Sequence, residues 1–515
     1  MMGWTSGYVS DVEYTAGFYA EQSPVLLNFV AVLNGYEPLP LDRPFTYFEL
    51  GFGRGVTVNL LAASNPNGKF YAADFNPAHV AGATALADQA ELGNVILLEN
   101  SFEELAEGAV ELPQFDFITL HGIYTWVTDE NQGHIVDFIS RYLKPGGIVY
   151  ISYNALPGWA ATQPLQRLLV EYGDAFPNRS DIQVGNAAEF IQKLVDAKVN
   201  YFVNAGEALQ ARLGGLKKHN RNYLVHEYMH KHWQPMYHAD VARDLADAKL
   251  EFIGSADLVF AYPKLYLTEE KAALIATFPD PAMQETLKDY SLNTSFRKDV
   301  FVRGARQLSS LRRQELLRKF GLALTVSRDA VQLKMKIAFG EVNAKPELAV
   351  PICDALARGP QTLGQLAALP ALAGSNLEDV AQLAALFVAS RQAVLYDATY
   401  VSQPQEAARR MNVAIASGVQ YGDEIHSLCS GLAGSAITAP YVARLIYWLM
   451  AAKGVKVDPA ALAEAGWQVM RAQGRHMMKD GALLQDDAGN LAELQSHIER
   501  ILQEELPIWR NLNML

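Results

Sequence analysis

The sequence predicts an α/β fold built on a mostly parallel, doubly wound sheet, with a mainly helical C-terminal part. Three observations carry this. Strand-like and helix-like patterns alternate from residue 45 to residue 153, a glycine-rich turn follows the first strand directly, and half of the 515 residues are hydrophobic, enough for large buried cores. Such alternation implies right-handed crossovers. Ligands of such sheets bind beyond the carboxyl ends of the strands.

Residues 45–50 read as the first strand, running into Gly51-Phe52-Gly53-Arg54-Gly55, and 56–63 as the helix leaving that turn. A second strand over 69–73 ends at Asp74 and a helix follows over 77–92. The third strand is 95–98, the fourth 115–120, and a helix covers 133–143. After Lys144-Pro145-Gly146-Gly147 comes a fifth strand, 148–153. The chain then reads as helical to about residue 250, with a His-rich stretch at 219–238. Residues 250–254 and 299–302 read as the last two strands of one seven-stranded sheet interrupted by a helical insertion. The expected organisation is a core with an N-terminal lid segment (1–165), the insertion with the last strands (166–305), and a mainly helical C-terminal domain (306–515). Within the last, helices at 348–357, 362–369 and 377–390 with a strand at 393–396 give a winged-helix-like outline at 346–402. That unit holds 5 acidic and 2 basic residues, so protein contact or architecture fits it better than DNA. A basic helix near 309–320 reads as a solvated connector.

The net charge of −13 falls entirely in residues 1–160, with 18 Asp and Glu against 5 Lys and Arg. An acidic core repels phosphate backbones, so no nucleic-acid partner is expected, whereas an amine or a basic peptide is tolerated. Cys353 and Cys429, far apart in the chain, argue against a disulfide framework and for the cytoplasm. Met1 to Thr5 shows no leader pattern, and the apolar stretch 441–453 is short and broken by Arg444, so no membrane insertion is expected.

The glycine turn lets backbone N–H groups approach a ligand closely, though a glycine turn can also merely pack strand on helix. A dinucleotide fingerprint wants glycine or alanine where Val56 stands. A methionine carboxylate and a ribose are smaller than a pyrophosphate, and Asp74 is placed to accept hydrogen bonds from ribose hydroxyls.

Glu49-Leu50-Gly-x-Gly-x-Gly, Asp74 and Leu143-Lys144-Pro145-Gly146-Gly147 in this order resemble the Rossmann-like class I S-adenosylmethionine-dependent methyltransferases. More narrowly, His121-Gly122-Ile123-Tyr124-Thr125-Trp126-Val127 and Ser152-Tyr153-Asn154-Ala155-Leu156-Pro157-Gly158-Trp159 resemble a bacterial subfamily. Its members follow the core with a methyltransferase regulatory domain, whose signature is similar to Tyr223-Leu224-Val225-His226-Glu227-Tyr228-Met229 with Pro235-Met236-Tyr237. The subfamily includes the rickettsial-type protein lysine methyltransferases that act on outer-membrane proteins. The resemblance covers residues 10–305 and is only an outline beyond them.

The resemblance implies S-adenosylmethionine as cofactor, with Glu49, Gly51, Phe52, Gly53 and Gly55 at its methionine part, Asp74 at the ribose and Phe75 beside the adenine. Ser101 and Phe102 follow the third strand, where Ser101 replaces the acidic residue that many methyltransferases aim at the adenine amine. Tyr14 and Tyr19, with Phe18 and Ser23-Pro24, resemble a segment that folds over the cofactor; core packing is the alternative. His121, Tyr124, Trp126, Tyr153, Asn154 and Trp159 follow strands four and five, where the methyl group should point, and are the candidate catalytic residues. His121 takes a proton or orients a loop. Asn154 accepts from an amine or caps the next helix.

His226-Glu227-Tyr228-Met229-His230 also fits a zinc-hydrolase pattern, with Glu251 as an imaginable third ligand. The complete cofactor cradle makes that chemistry superfluous, and no metal is expected. The expected activity is N-methylation of a protein or peptide, lysine being the best guess. A small-molecule N- or O-methyltransferase and a non-catalytic cofactor-binding regulator are the alternatives.

Overall fold

The computed structural model describes residues 16–400 and 406–515. Its centre is a seven-stranded sheet in the order β3-β2-β1-β4-β5-β7-β6. The strands are β1 (Phe45–Leu50), β2 (Gly68–Asp74), β3 (Val95–Glu99), β4 (Phe115–Leu120), β5 (Leu143–Asn154), β6 (Leu250–Ser255) and β7 (Phe296–Arg303). The first five are parallel; β7 runs antiparallel between β5 and β6. Chain order reverses direction at β1, so the switch point lies between β1 and β4, beyond Leu50 and Leu120. Strand β5 begins five residues earlier than the apolar run suggests, because Leu143 pairs with Phe115 across a register shift and the Pro-Gly-Gly segment lies within the strand.

Helix α1 (Pro24–Leu33), capped by Ser23, is buried throughout. Helix α2 (Val56–Ser64) starts from Gly55, whose left-handed φ of 69° ends the cofactor turn, and each of its nine residues is buried. Helix α3 (Pro77–Gln89) starts from an Asn76 cap with proline in its first turn, and α4 (Phe102–Glu107) from a Ser101–Glu104 capping box. Helix α5 (Asp129–Tyr142) begins four residues before the sequence pattern does. Thr128 accepts from Asn131 N, and Asp129 and Glu130 complement the helix N-terminus. The insertion is six helices: α6 (Gln163–Ala175), α7 (Ser180–Asp196), α8 (Asn200–Val203), α9 (Glu207–Lys218), α10 (Arg221–Tyr228) and α11 (His238–Ala246). Its core gathers Trp159, Leu169, Ile191, Leu216, Val225 and Trp233.

The C-terminal part is mainly helical. Helices Pro346–Ala357, Leu363–Ala367 and Leu377–Ala389 flank a three-stranded antiparallel sheet whose middle strand, Phe320–Leu324, precedes the span the sequence pattern singles out. One hydrophobic cluster joins this sheet to α1 and to the face of the core sheet bearing Phe117 and Val300. A second joins residues from 406–515 to Val56, Leu60 and Ala63 of α2. No helix among the described residues is long and apolar enough to cross a membrane.

Candidate functional site

At the switch point the glycine turn takes three consecutive left-handed glycines in alternation, with φ of 64° at Gly51, 56° at Gly53 and 69° at Gly55. Only glycine adopts these angles without strain. At Gly51 a Cβ would stand 2.7 Å from Ile123 Cδ1, and at Gly55 2.4 Å from Ala83 Cβ. Asp74 fastens the turn from the next strand: Oδ2 accepts from Gly53 N at 2.8 Å, while Oδ1 accepts from Asn76 N at 2.9 Å and lies 3.1 Å from His79 Nδ1.

A cavity opens over this turn, lined by Glu49, Gly51 to Arg54, Asp74, Phe75 and Phe102, and closed by Tyr19 and the His121–Val127 loop. Gly55 supports the cavity without lining it, and Tyr14 lies outside the described residues. Ser101 does not line it either: its hydroxyl accepts from Glu104 N at 3.2 Å as the cap of α4. Glu49 is 4 % exposed and Oε1 accepts from Gln22 Nε2 at 3.2 Å, whereas Oε2 has no hydrogen-bond partner among the described residues. Burial pushes this carboxyl up to about 8, with nearby Asp74 adding to the effect and Gln22 opposing it. A buried, incompletely satisfied carboxyl beside a glycine turn suits the ammonium end of a methionyl group, so these residues fit S-adenosylmethionine.

A second cavity, of about 400 Å³, abuts the first and shares Tyr19, His121, Gly122 and Trp126 with it. Its other walls are Asn154 at the end of β5, Trp159 beyond it, Arg212 on α9, Tyr223, His226 and Glu227 on α10, His230 just past that helix, and Ser295–Phe296 at the start of β7. At the junction Tyr19 stacks on His121 with ring centroids 3.7 Å apart. His121 Nδ1 meets Tyr150 OH at 2.8 Å, and Gly122 N donates to Ser152 Oγ at 2.8 Å, so β5 fixes the loop. Burial lowers the His121 imidazole to about 4; Glu21 opposes the shift and Lys298 adds to it. Arg212 lies 3.6 Å from the Trp159 ring centroid and donates to Glu227 Oε1 at 2.9 Å. Burial raises the Glu227 carboxyl and Arg212 opposes that.

Of the six candidate catalytic residues, His121, Trp126, Asn154 and Trp159 therefore meet in one place. Tyr124 and Tyr153 do not. Tyr124 is fully buried and donates to Asp244 Oδ2 at 3.1 Å on the far side of its loop. Tyr153 is buried among core residues and donates to Asp299 Oδ2 at 2.7 Å. Successive residues of β5 point to opposite faces, so Asn154 can reach the cavity only if Tyr153 does not. Asn154 also caps no helix: the next one is preceded by Trp159.

Arg212, Tyr223, Glu227 and Phe296 escape a reading of the sequence as site residues. The signal for two of them was the regulatory-domain signature, Tyr223 to Met229. The zinc pattern within it is not carried by one helix: α10 ends at Tyr228, leaving His230 beyond it with its ring centroid 6.1 Å from that of His226. Among the described residues no group of three or more His, Cys, Asp or Glu is placed to hold a metal.

A family model described as a methyltransferase domain matches residues 42–226, and one described as a predicted methyltransferase regulatory domain matches 220–303. An uncharacterized protein of Synechocystis is 38 % identical over 516 aligned residues, covering 100 % of both chains. An uncharacterized Rickettsia prowazekii protein is 28 % identical over 221 residues, covering 42 % of this chain and 86 % of its own. The structure of PKMT2 from Rickettsia typhi in complex with AdoHcy superposes with a TM-score of 0.69, covering 97 % of this chain and 99 % of that one at 17 % identity, and so shares the fold. With the glycine cradle and the unsatisfied Glu49 carboxyl in place, these matches make the chain a member of the class I S-adenosylmethionine-dependent methyltransferases that carry a methyltransferase regulatory domain.

Proposed function

We propose that the enzyme methylates a side-chain amine of a protein or peptide, a lysine above all. The observation that carries this reading is the second cavity: it meets the cofactor cavity at Tyr19, His121, Gly122 and Trp126, and five Tyr, Trp and Phe side chains and one carboxylate line it. When bound, S-adenosylmethionine supplies an electrophilic methyl carbon on a sulfonium. Glu49, the glycine turn and Asp74 hold the cofactor; Trp126, Trp159 and Tyr223 enclose the acceptor. Aromatic faces attract an ammonium by ~0.5–2 kcal/mol per contact, and Glu227 receives it as a counter-charge. Burial favours loss of the ammonium proton to solvent, which frees the lone pair for in-line attack. His121, held neutral by burial, is a poor proton acceptor; it orients the junction through Tyr19 and Tyr150. The likeness to rickettsial-type protein lysine methyltransferases supports the same acceptor.

Incubating the enzyme with methyl-labelled cofactor and a cell lysate should place label in acid-precipitated protein; label in the small-molecule fraction alone overturns the reading. With the labelled protein as acceptor, Glu227→Gln should cost about 1.5–3 kcal/mol in kcat/KM, the range for hydrogen bonds to charged groups. Its calorimetric affinity for S-adenosylhomocysteine should stay unchanged. Asp74→Ala should do the reverse, weakening cofactor binding by ~1–3 kcal/mol through lost ribose and turn hydrogen bonds; unchanged affinity would disprove the assignment.

A further inference from the structure

A third cavity, of about 620 Å³, lies against the acceptor cavity and shares Ser295 and Phe296 with it. The wall between them is tied to the acceptor side: Ala155 N donates to Ser295 O at 2.9 Å and Gly158 N to Thr294 O at 2.9 Å. A Cβ at Gly158 would stand 2.4 Å from Thr294 O, so only glycine permits this approach. Phe296 is 39 % exposed, so the wall reaches the surface, where a polypeptide can cross it. The remaining walls include Asp257 and Phe260 beyond β6, Glu285, Lys288 and Asp289 on the helix Pro281–Leu292, and Phe339 of the C-terminal part.

Charge on these walls is unevenly matched. Lys288 donates to Glu285, Arg297 to Asp289 and Asp299, and Lys298 to Glu21 at 2.5 Å. Each lysine or arginine among the described lining residues therefore already holds a carboxylate. Asp257 makes no ion pair among the described residues; burial raises its carboxyl, and Lys298 opposes that from nearby while donating to Glu21. Asp289 is 1 % exposed, and its Oδ1 accepts from Arg297 Nη1 at 2.8 Å, whereas Oδ2 has no hydrogen-bond partner among the described residues. Burial pushes this carboxyl up to about 6, with Arg297 opposing the shift. A buried carboxylate oxygen without a donor is destabilising, and an arriving cation relieves it. Phe260, Phe296 and Phe339 offer apolar surface of the kind that the methylene stem of a long basic side chain covers. Given a polypeptide amine as methyl acceptor, the reading proposed above, we infer that this cavity takes a second basic side chain of the same polypeptide, an arginine or lysine close in sequence to the acceptor lysine, with Asp257 and Asp289 as its counter-charges.

The test uses the full chain saturated with S-adenosylhomocysteine and short fluorescent peptides in a Gly-Ser background. Each carries one lysine and, at varied spacing from it, either arginine or its neutral isostere citrulline. Fluorescence anisotropy should show tenfold or tighter binding of the arginine peptide at a preferred spacing. Asp257→Asn and Asp289→Asn should each cut that advantage to threefold or less, with parental affinity for S-adenosylhomocysteine reporting an intact fold. Should Asp289→Asn lose that affinity because Arg297 is disturbed, Asp257→Asn decides alone. Equal binding of arginine and citrulline peptides at every spacing overturns the inference, as does an advantage that survives Asp257→Asn. An advantage identical at all spacings describes a site for a free cation and overturns the assignment to the same polypeptide. The same peptides, offered with methyl-labelled cofactor, test the acceptor separately: arginine-dependent binding without methyl transfer to any of them leaves this subsite standing and removes the lysine reading instead.

Discussion

Glu49→Gln is expected to lower affinity for S-adenosylhomocysteine by about 1.5–3 kcal/mol, roughly ten- to a hundredfold, because the variant cannot form an ion pair with the methionyl ammonium. The pH dependence of binding should change with it. Burial holds the Glu49 carboxyl at about 8, so in the free protein at pH 7 roughly nine-tenths of it is protonated. An ammonium arriving at Oε2 favours the carboxylate, and binding therefore expels close to one proton at pH 7 and almost none well above pH 8. Calorimetry in two buffers of different ionisation enthalpy measures that proton directly; the Gln variant should release none from this site. Stability of the free protein carries the same signature. Because the folded carboxyl titrates above its ordinary 4.5, its contribution is fully present below 4.5 and is lost as pH rises through about 8. Cofactor binding should offset that loss in the parent protein. In Glu49→Gln the loss itself should vanish.

The cofactor half of the site was legible in the sequence because its parts are local. Glu49, the glycine turn and Asp74 sit at the ends of two strands whose apolar runs are unmistakable, and topology alone brings those ends together. The acceptor half was legible only as a neighbourhood. His121, Trp126, Asn154 and Trp159 follow strands four and five and do converge, but so do Tyr124 and Tyr153 in sequence. What separates them is the facing of single side chains, which a one-residue offset inverts. Glu227 was visible inside a five-residue pattern whose chemistry assumed a continuous helix; the helix stops at Tyr228 and the carboxylate serves a different wall. Arg212 and Phe296 reach the site by packing of the insertion and of β7. No local periodicity encodes such approaches. The two ends of α5 and β5 were misjudged for a simpler reason: a threonine cap and a strand that runs through Pro-Gly-Gly have no apolar signature.

Asp299→Ala is expected to be strongly destabilising, by about 3–5 kcal/mol, the usual cost of breaking a buried ion pair. Asp299 is 1 % exposed and accepts from Tyr153 OH at 2.7 Å, Arg297 Nε at 2.9 Å and His238 Nδ1 at 2.9 Å. Burial works against its charge, but the Arg297 guanidinium and His238 outweigh it and hold the carboxyl at about 2. Removing the carboxylate leaves Arg297, itself 8 % exposed, to Asp289 at 2.8 Å and Glu285 at 3.5 Å, and leaves the Tyr153 hydroxyl only His238 Nδ1 at 3.3 Å. The midpoint of urea unfolding should fall accordingly. Since the folded carboxyl titrates below its ordinary 3.8, its contribution is present above that pH and is lost as pH falls through about 2; a change in the penalty between pH 5 and 8 would belong to Asp289, which burial pushes up to about 6. Tyr153→Phe separates structure from chemistry. If Tyr153 only anchors β5 to this network, the variant loses one hydrogen bond, ~0.5–1.5 kcal/mol of stability, and keeps methyl transfer at the parental rate. A rate loss of a hundredfold in a protein destabilised that little would return Tyr153 to the catalytic set. Because β5 alternates faces, it would also mean that Asn154 points away from the acceptor, which an Asn154→Ala variant with parental activity would corroborate.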